Sequence, residues 1–176
     1  FKRDLRLADH APLQKAAGDD IPAILLYILD NEYLNDVHYT ARHWQFVRDC
    51  LKDMTRTLSR AGHKLLVLEG STLEIFQLLD SQYAIQHVYS HQETGLNFSY
   101  AIDKKVKQWA DSEKIIWSEY QENGIVRGVK NRKDWVQKWY AYMHTPPIVT
   151  DLSVLKSIRP NIEEFTPTYF KELVLD

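Results

Sequence analysis

Three local strings carry residues able to do chemistry. In SHQETG, residues 90–95, the Glu93 carboxylate can accept hydrogen bonds from an N–H-rich ring, and the His91 imidazole can donate or accept. The same string also reads as plain loop structure, with Thr94 capping a following helix and Gly95 easing its entry. In FKRDLRLADH, residues 1–10, Lys2, Arg3 and Arg6 stand near Asp4 and Asp9. Guanidinium groups pair with carboxylates or with phosphates, so these residues form either an internal salt network or a ligand or partner surface. The third string gathers Arg127, Lys130, Arg132, Lys133 and Lys138 around Trp135, Trp139, Tyr140 and Tyr142, with Asp134 as partial offset. Cations interleaved with aromatic rings attract phosphate and stack on bases. A helix through RKDWVQKWYAYM would instead align Trp135, Trp139 and Met143 as a packing stripe, and that reading carries more weight.

Other chemistries lack their residues. Seven histidines, at 10, 38, 43, 63, 87, 91 and 144, form no HExxH and have no cysteine pair beside them, so no metal site is expected. No GxSxG elbow occurs, and Cys50 lies within an apolar helical pattern, which points to a small core residue. No catalytic residue is expected. GxGxxG and GxxxxGK[ST] are both missing, so no ordinary nucleotide motif is present.

The elements that must position these strings follow a strand–helix rhythm. IPAILLYIL (21–29) is an apolar run suited to a strand buried on both sides, and a helix over 41–58 aligns Val47, Leu51, Met54 and Leu58. Gly62 ends that helix before KLLVLEG (64–70). Leu73, Phe76, Leu78 and Leu79 predict a helix before AIQHVYS (84–90). Phe98, Ile102, Val106 and Trp109 predict another before KIIWSEY (114–120). Such alternation predicts a parallel sheet with ligands beyond the carboxyl ends of its strands.

Composition narrows the class. The 176 residues, 44% hydrophobic, suffice for one domain with its own core, and 22 basic against 24 acidic residues give a formal charge of -2. That balance argues against a general nucleic-acid coat. One cysteine and the lack of any long apolar span predict no membrane insertion and a reducing, cytoplasmic location. The chain opens at Phe1 without a Met or signal peptide, and Pro160 and Pro167 interrupt its last segment, so a longer parent protein is expected on both sides.

Taken together, FKRDLRLADHAPL, ARHWQFVRDCLKDM, LSRAGHKLLVLEG, SHQETG and IIWSEYQENGIVRG resemble the amino-terminal domain of the photolyase and cryptochrome family. The first string is the most specific, with Phe1, Lys2, Arg3, Asp4, Leu5, Arg6, Leu7, Asp9, His10 and Leu13 in register and His10 where Asn is common. The resemblance implies an α/β fold with a Rossmann-like, doubly wound five-stranded parallel sheet, helices on both faces, and its first strand truncated ahead of Phe1. It divides the chain into an α/β domain, 1–147, and an interdomain linker, 148–176, leading toward a helical FAD-binding domain. By the same resemblance the α/β domain helps hold an antenna chromophore, a folate, deazaflavin or flavin. The antenna passes excitation energy to FAD, which repairs pyrimidine dimers in UV-damaged DNA in a deoxyribodipyrimidine photolyase, a carbon–carbon lyase. The fragment alone would be inactive. The rival readings are a cryptochrome-like blue-light photoreceptor and a pigment-free interaction domain. Glu93 is the first candidate for antenna contact, followed by His91, Asp9 and Arg42, while Arg3 and Arg6 would hold the domain interface. The expected partners are damaged DNA through the full-length protein and the helical domain in cis, with the chain a monomer.

Overall fold

The computed structural model describes residues 1–129 and 131–169. Its elements are α1 (Ala11–Gly18), β1 (Leu25–Asp30), α2 (Asn31–Leu34), α3 (Ala41–Arg60), β2 (Leu65–Gly70), α4 (Thr72–Tyr83), β3 (His87–His91), α5 (Asn97–Ser112), β4 (Ile116–Tyr120) and α6 (Trp135–Met143). A single 3-10 turn, Leu152–Val154, follows.

Local chemistry sets the boundaries. His10 caps α1, its Nδ1 accepting from Leu13 N at 3.0 Å, and Ser71 caps α4. Ala84 (φ 49°) stops α4 and Lys114 (φ 63°) follows α5, both left-handed, so β3 and β4 begin later than the apolar runs alone predict. Ahead of β1, Ala23 bridges in parallel to Ser157, which delays the strand to Leu25.

β1 and β2 pair in parallel from Leu25 with Leu65 to Asp30 with Gly70. Alternate residues face opposite layers. Leu25, Tyr27, Leu29, Leu65 and Val67 pack on α1 and the Trp44, Leu51, Met54 and Leu58 stripe of α3. Leu26, Ile28, Leu66 and Leu68 pack on Ile75 and Leu79 of α4. Burying a Leu or Ile side chain stabilises by about 1.5–3 kcal/mol, so this two-faced packing is what fixes the pair.

β3 and β4 form a second parallel pair, from His87 with Ile116 to His91 with Tyr120. The expected single five-stranded sheet is therefore corrected: the described strands number four, in two separate two-stranded parallel sheets. The physical reason is spacing. Neighbouring strands must lie about 4.8 Å apart to share a ladder, and no described strand lies between β1 and β3. Between them is a cavity of about 910 Å³, lined along its length by β1 and β3. Residue 1 reaches it only as coil, its ammonium donating to Leu26 O at 2.8 Å.

Beyond α6 the chain turns back over the fold. His63 holds this strap, its ring nitrogens 2.8 Å from Ser157 Oγ and from Leu152 O. Glu69 Oε2 accepts from Thr168 N and Tyr169 N at 2.7 and 2.8 Å, and Phe165 covers Gly70. Residues 148–169 of the expected linker are thus fastened to the α/β core, while 170–176 lie outside the described residues.

Candidate functional site

The cavity is lined as far as the carboxyl ends of β1 and β3, at Asp30 and Ser90. Its wall there is made by Asp30, Tyr33, Tyr39, Arg42, Trp44 and Arg3. In open parallel sheets this is where ligands are held, because successive loops diverge and leave a crevice. The rings are packed against one another. Tyr39 stacks on Trp44 with centroids 5.1 Å apart and planes at 22°, and Tyr33 meets Tyr39 edge-on at 5.5 Å and Phe98 at 4.9 Å. Burial pushes the Tyr33 phenol far above its ordinary range, and the Glu93 charge pushes the same way, so the hydroxyl stays protonated. Asp30 is committed to the scaffold: Oδ1 accepts from Glu32 N, and Oδ2 accepts from Thr72 N and Thr72 Oγ1.

Glu93 sits at the end of β3 with its side chain 2% exposed. Its Oε1 lies 3.0 Å from Arg3 Nη2 and accepts from Gly95 N at 2.5 Å. A Cβ on Gly95 would come within 2.6 Å of that oxygen and 2.5 Å of Arg3 Nη1, so the ion pair lies against the Gly95 backbone and a side chain there would displace it. Thr94 does not cap α5, whose N-cap is Leu96; its hydroxyl instead faces Arg3 Nη2 and Asn123 Nδ2, each at 3.4 Å.

His91 is engaged elsewhere. Its Nδ1 lies 2.6 Å from Asp4 Oδ2, and the Asp4 Oδ1 accepts from Lys2 N at 2.5 Å. His10 Nε2 lies 2.9 Å from the same Asp4 oxygen but too far off line for a full hydrogen bond. All three side chains are at most 3% exposed. Burial by itself would raise the Asp4 carboxyl, but the two imidazoles outweigh it and hold the group well below the ordinary carboxylate range. Burial lowers the His10 pKa, against the pull of Asp4.

This Asp4–His10–His91 cluster has the residue types of a metal centre. Its proton inventory opposes that use. His10 Nδ1 accepts from Leu13 N, so its proton sits on Nε2, the nitrogen facing Asp4, and a metal there would need that nitrogen bare. The cluster is better described as a carboxylate hydrogen-bonded to His91 Nδ1, with His10 Nε2 close by but off line.

The remaining candidates separate. Arg42 is exposed in the first turn of α3 and lines the mouth. Asp9 (φ 51°) ties the strap, its N donating to Ile148 O and its Oδ1 accepting from Ile148 N. The basic residues of the opening string pair with distant acids: Lys2 with Asp103 at 2.8 Å and Arg6 with Glu122 at 3.2 Å. Of the carboxyl-end patch, Arg127 is neutralised by Glu119 at 2.6 Å, and Lys130 lies outside the described residues. Trp139 of α6 is half-buried against Gly124, whereas Trp135 and Met143 are exposed, and α6 buries no residue fully. Cys50 is half-buried on α3, not core, with burial raising its thiol pKa. The sequence offered no sign of the shield that Arg3 forms over Glu93, because the two residues are 90 positions apart and only the fold joins them.

Known proteins share this fold. Over 100 residues, 53% of this chain and 17% of the relative, the sequence is 31% identical to a cryptochrome DASH of Solanum lycopersicum, named chloroplastic/mitochondrial. A bacterial class III photolyase from Agrobacterium tumefaciens matches with a TM-score of 0.75 at 21% identity, over 96% of this chain and 38% of its own. An archaeal photolyase from Sulfolobus tokodaii, solved with two FAD molecules and an implied light-harvesting cofactor, matches at 0.66 and 19%, over 86% and 36%. This chain therefore spans under a fifth of the tomato protein's length. No described helix is long and apolar enough to cross a membrane. The cytoplasmic expectation is corrected by the organellar name of the tomato protein, since one thiol and modest hydropathy do not separate cytosol from an organelle's interior. The sequence model of DNA photolyase matches residues 1–140, and with four-fifths of its length inside that match the chain belongs to the DNA photolyase and cryptochrome family.

Proposed function

We propose that this chain is the pigment-holding α/β domain of a cryptochrome-like blue-light photoreceptor. The observation that carries the reading is the crevice at the ends of β1 and β3, walled by Tyr33, Tyr39 and Trp44 and edged by Arg3 and Arg42, in a member of this family. Stacked rings offer flat apolar contact to a conjugated ring system, and the guanidinium groups offer donors at its edge. The residues present therefore fit a folate, deazaflavin or flavin. A bound pigment supplies light absorption and transfer of excitation energy to FAD in a helical domain of the parent protein.

The chain's own residues do the rest. Tyr39 and Trp44 hold the ring plane, with Trp44 fixed between Tyr39 and Tyr169 of the strap. Tyr33 remains a neutral phenol, so the wall adds no negative charge. Glu93 enters through Arg3, and Arg42 stands at the rim. His91 and Asp9, taken up by Asp4 and Ile148, position the loop and the strap. In this reading residues 1–147 form the domain and 148–176 lead toward the helical domain in cis.

Repair of pyrimidine dimers in UV-damaged DNA, with the parent a monomeric lyase, is the second reading, favoured by the likeness to the Agrobacterium photolyase. The isolated chain is expected to be inactive, since its buried polar cluster is closed to substrate. The test is retention of pigment. The purified chain is mixed with a methenyl-folate, a deazaflavin and FMN, desalted, and read by absorbance and mass. One pigment retained near equimolar ratio is expected; retention of none refutes the reading. The full-length protein should then show light-driven flavin chemistry without dimer reversal, and efficient reversal would transfer the assignment to the repair enzyme.

A further inference from the structure

We infer that α6 carries a docking surface for an acidic amphipathic helix of a partner protein, seated on Val136, Tyr140 and Met143 and paired with Arg132, Lys133 and Lys138. None of these residues lines the crevice, so the inference is independent of the pigment reading.

An α-helix turns by about 100° per residue, so Val136, Tyr140 and Met143, at i, i+4 and i+7, form one row along α6. Trp139 and Tyr142 form a second row about 100° round the axis, and that row meets the body of the fold. Trp139 lies against Gly124, and the Tyr142 hydroxyl donates to Gln121 O at 3.2 Å. The first row faces outward: Val136, Tyr140 and Met143 are each more than half exposed, and Trp135 at the head of the helix is 41% exposed. The apolar stripe of α6 is therefore about twice as wide as its own fold covers, and a contiguous exposed apolar row marks a binding surface. Tyr140 is preset for this use. Trp139 holds its ring edge-on at 5.2 Å and His144 lies against it at 5.6 Å, so covering the ring freezes little motion.

Charge identifies the occupant. Between residues 131 and 144 stand Arg132, Lys133 and Lys138 against the one carboxylate of Asp134, in a chain whose formal charge is -2. All four side chains are exposed. Among the described residues none of the three cations has a carboxylate within ion-pair distance, whereas Lys2, Arg6 and Arg127 are each paired. The Lys133 N–H donates to Asn131 Oδ1 at 2.9 Å and the Trp135 N–H to Arg132 O at 3.1 Å, which fixes the turn that carries Arg132 and Lys133 into the helix. An apolar row with unpaired cations at its rim complements a helix that bears aliphatic side chains on one face and Glu or Asp beside them. Nucleic acid is served less well, since Val136 and Met143 offer no ring for stacking and the chain as a whole is not basic. A second copy would bring like charges together. The strap does not cover the row either: it leads from α6 to Glu69 at the end of β2, whereas α6 sits on Gln121 and Gly124 beyond β4, in the other sheet. The partner helix is therefore supplied in trans.

The probe is a labelled, end-capped peptide of about 21 residues with Leu at the a and d positions of its heptads and Glu or Ala elsewhere. Its controls are a peptide of the same composition in scrambled order and one with Lys in place of every Glu. Anisotropy titration of the 176-residue chain at about 50 mM salt should give a Kd of about 100 μM or tighter for the Glu peptide, with a gain of helical circular dichroism, and at least about tenfold weaker binding of both controls. The preference over the Lys peptide should shrink at about 500 mM salt, where screening is strong. M143E and V136S change exposed side chains on the row and should each weaken the Glu peptide by about tenfold, with thermal melts checking the fold of both. K133E/K138E should weaken it by about tenfold and take up the Lys peptide instead, a reversal that a loss of fold would not produce. Equal binding of the scrambled peptide, or affinity unmoved by all three variants, overturns the inference. So does an oligothymidine that displaces the Glu peptide, which would make the surface a nucleic-acid contact, or a dimer in sedimentation that M143E dissolves, which would make the occupant a second copy. Binding of no peptide up to about 1 mM overturns it outright and leaves the pigment reading standing.

Discussion

Asp4→Asn is the sharpest test of how the opening string supports the site. Asp4 is 2% exposed and serves three donors: His91 Nδ1 at 2.6 Å, Lys2 N at 2.5 Å, and the off-line His10 Nε2 at 2.9 Å. A carboxylate only accepts, whereas a carboxamide must point its NH2 at one side. If that side is Oδ1, the Lys2 N–H is left facing a donor; if it is Oδ2, both imidazoles are. A buried unsatisfied group costs about 1–3 kcal/mol and a broken buried charge pair about 3–5, so about 3 kcal/mol of destabilisation is expected. For a chain of this length that lowers the melting temperature by about 6–12 °C. Paired urea titrations of the parent and D4N, with m-values compared, give the difference directly. A loss below about 1 kcal/mol at unchanged m would refute the reasoning, because the imidazoles would then have found other acceptors at no cost.

Three further outcomes follow from the same packing. Burial lowers the His10 pKa below its ordinary 6.5, so the unfolded chain binds more protons just below that pH; this contribution is present above 6.5 and lost as pH falls toward the lowered folded value. H10N keeps a capping side chain without the titration, so its stability should fall less between pH 7 and 5 than the parent's, and parallel profiles would count against the assignment. At Gly70 (φ 151°) an added Cβ would lie 2.6 Å from Phe165 Cδ1, so G70A should cost about 1–3 kcal/mol and hasten proteolysis within 158–169; an unchanged digest would show that Phe165 does not anchor the strap. At Gly124 a Cβ would lie 2.2 Å from Trp139 Cδ1, so G124A should dislodge α6 and shift tryptophan emission to the red, whereas an unchanged spectrum would mean that the contact yields.

β1 and β2 were legible because each is an apolar run too short and too continuous for an exposed helix, β3 and β4 because they follow amphipathic helices in a strand–helix alternation, and α3 because Leu51, Met54 and Leu58 recur at helical spacing. Their starts were less so. Ala84 and Lys114 adopt left-handed conformations that neither residue advertises, and those two positions decide where α4 stops and where β4 begins. Sheet continuity was not legible, since it depends on what lies between β1 and β3, and no strand propensity reports on that. At the site, the position of Glu93 after β3 was readable from strand-end placement, but its burial under Arg3 was not. His91 was weighed against histidines for metal spacing, whereas its partner is Asp4, 87 residues earlier; the available hint was His10 directly before Ala-Pro, the sequence of a capped helix start.

The first ten residues tie the two described sheets and the strap together through side chains and one loop contact. Lys2 reaches Asp103 on α5, Arg3 reaches Glu93 beyond β3, Asp4 reaches His91 within it, Arg6 reaches Glu122 beyond β4, and Asp9 holds Ile148 of the strap. Every one of these contacts ties the opening segment to the second half of the chain, and most are half-buried or buried. They differ in kind from exposed helical pairs such as Lys107 with Asp111, which contribute little and are screened by salt. Charge in this segment therefore does two jobs with one set of residues: it fastens the β3–β4 unit to the rest, and through Arg3 it sets the electrostatic character of the crevice. Neutralising Arg3 should alter ligand preference with modest loss of stability, because that side chain is 40% exposed, whereas neutralising Asp4 should do the reverse.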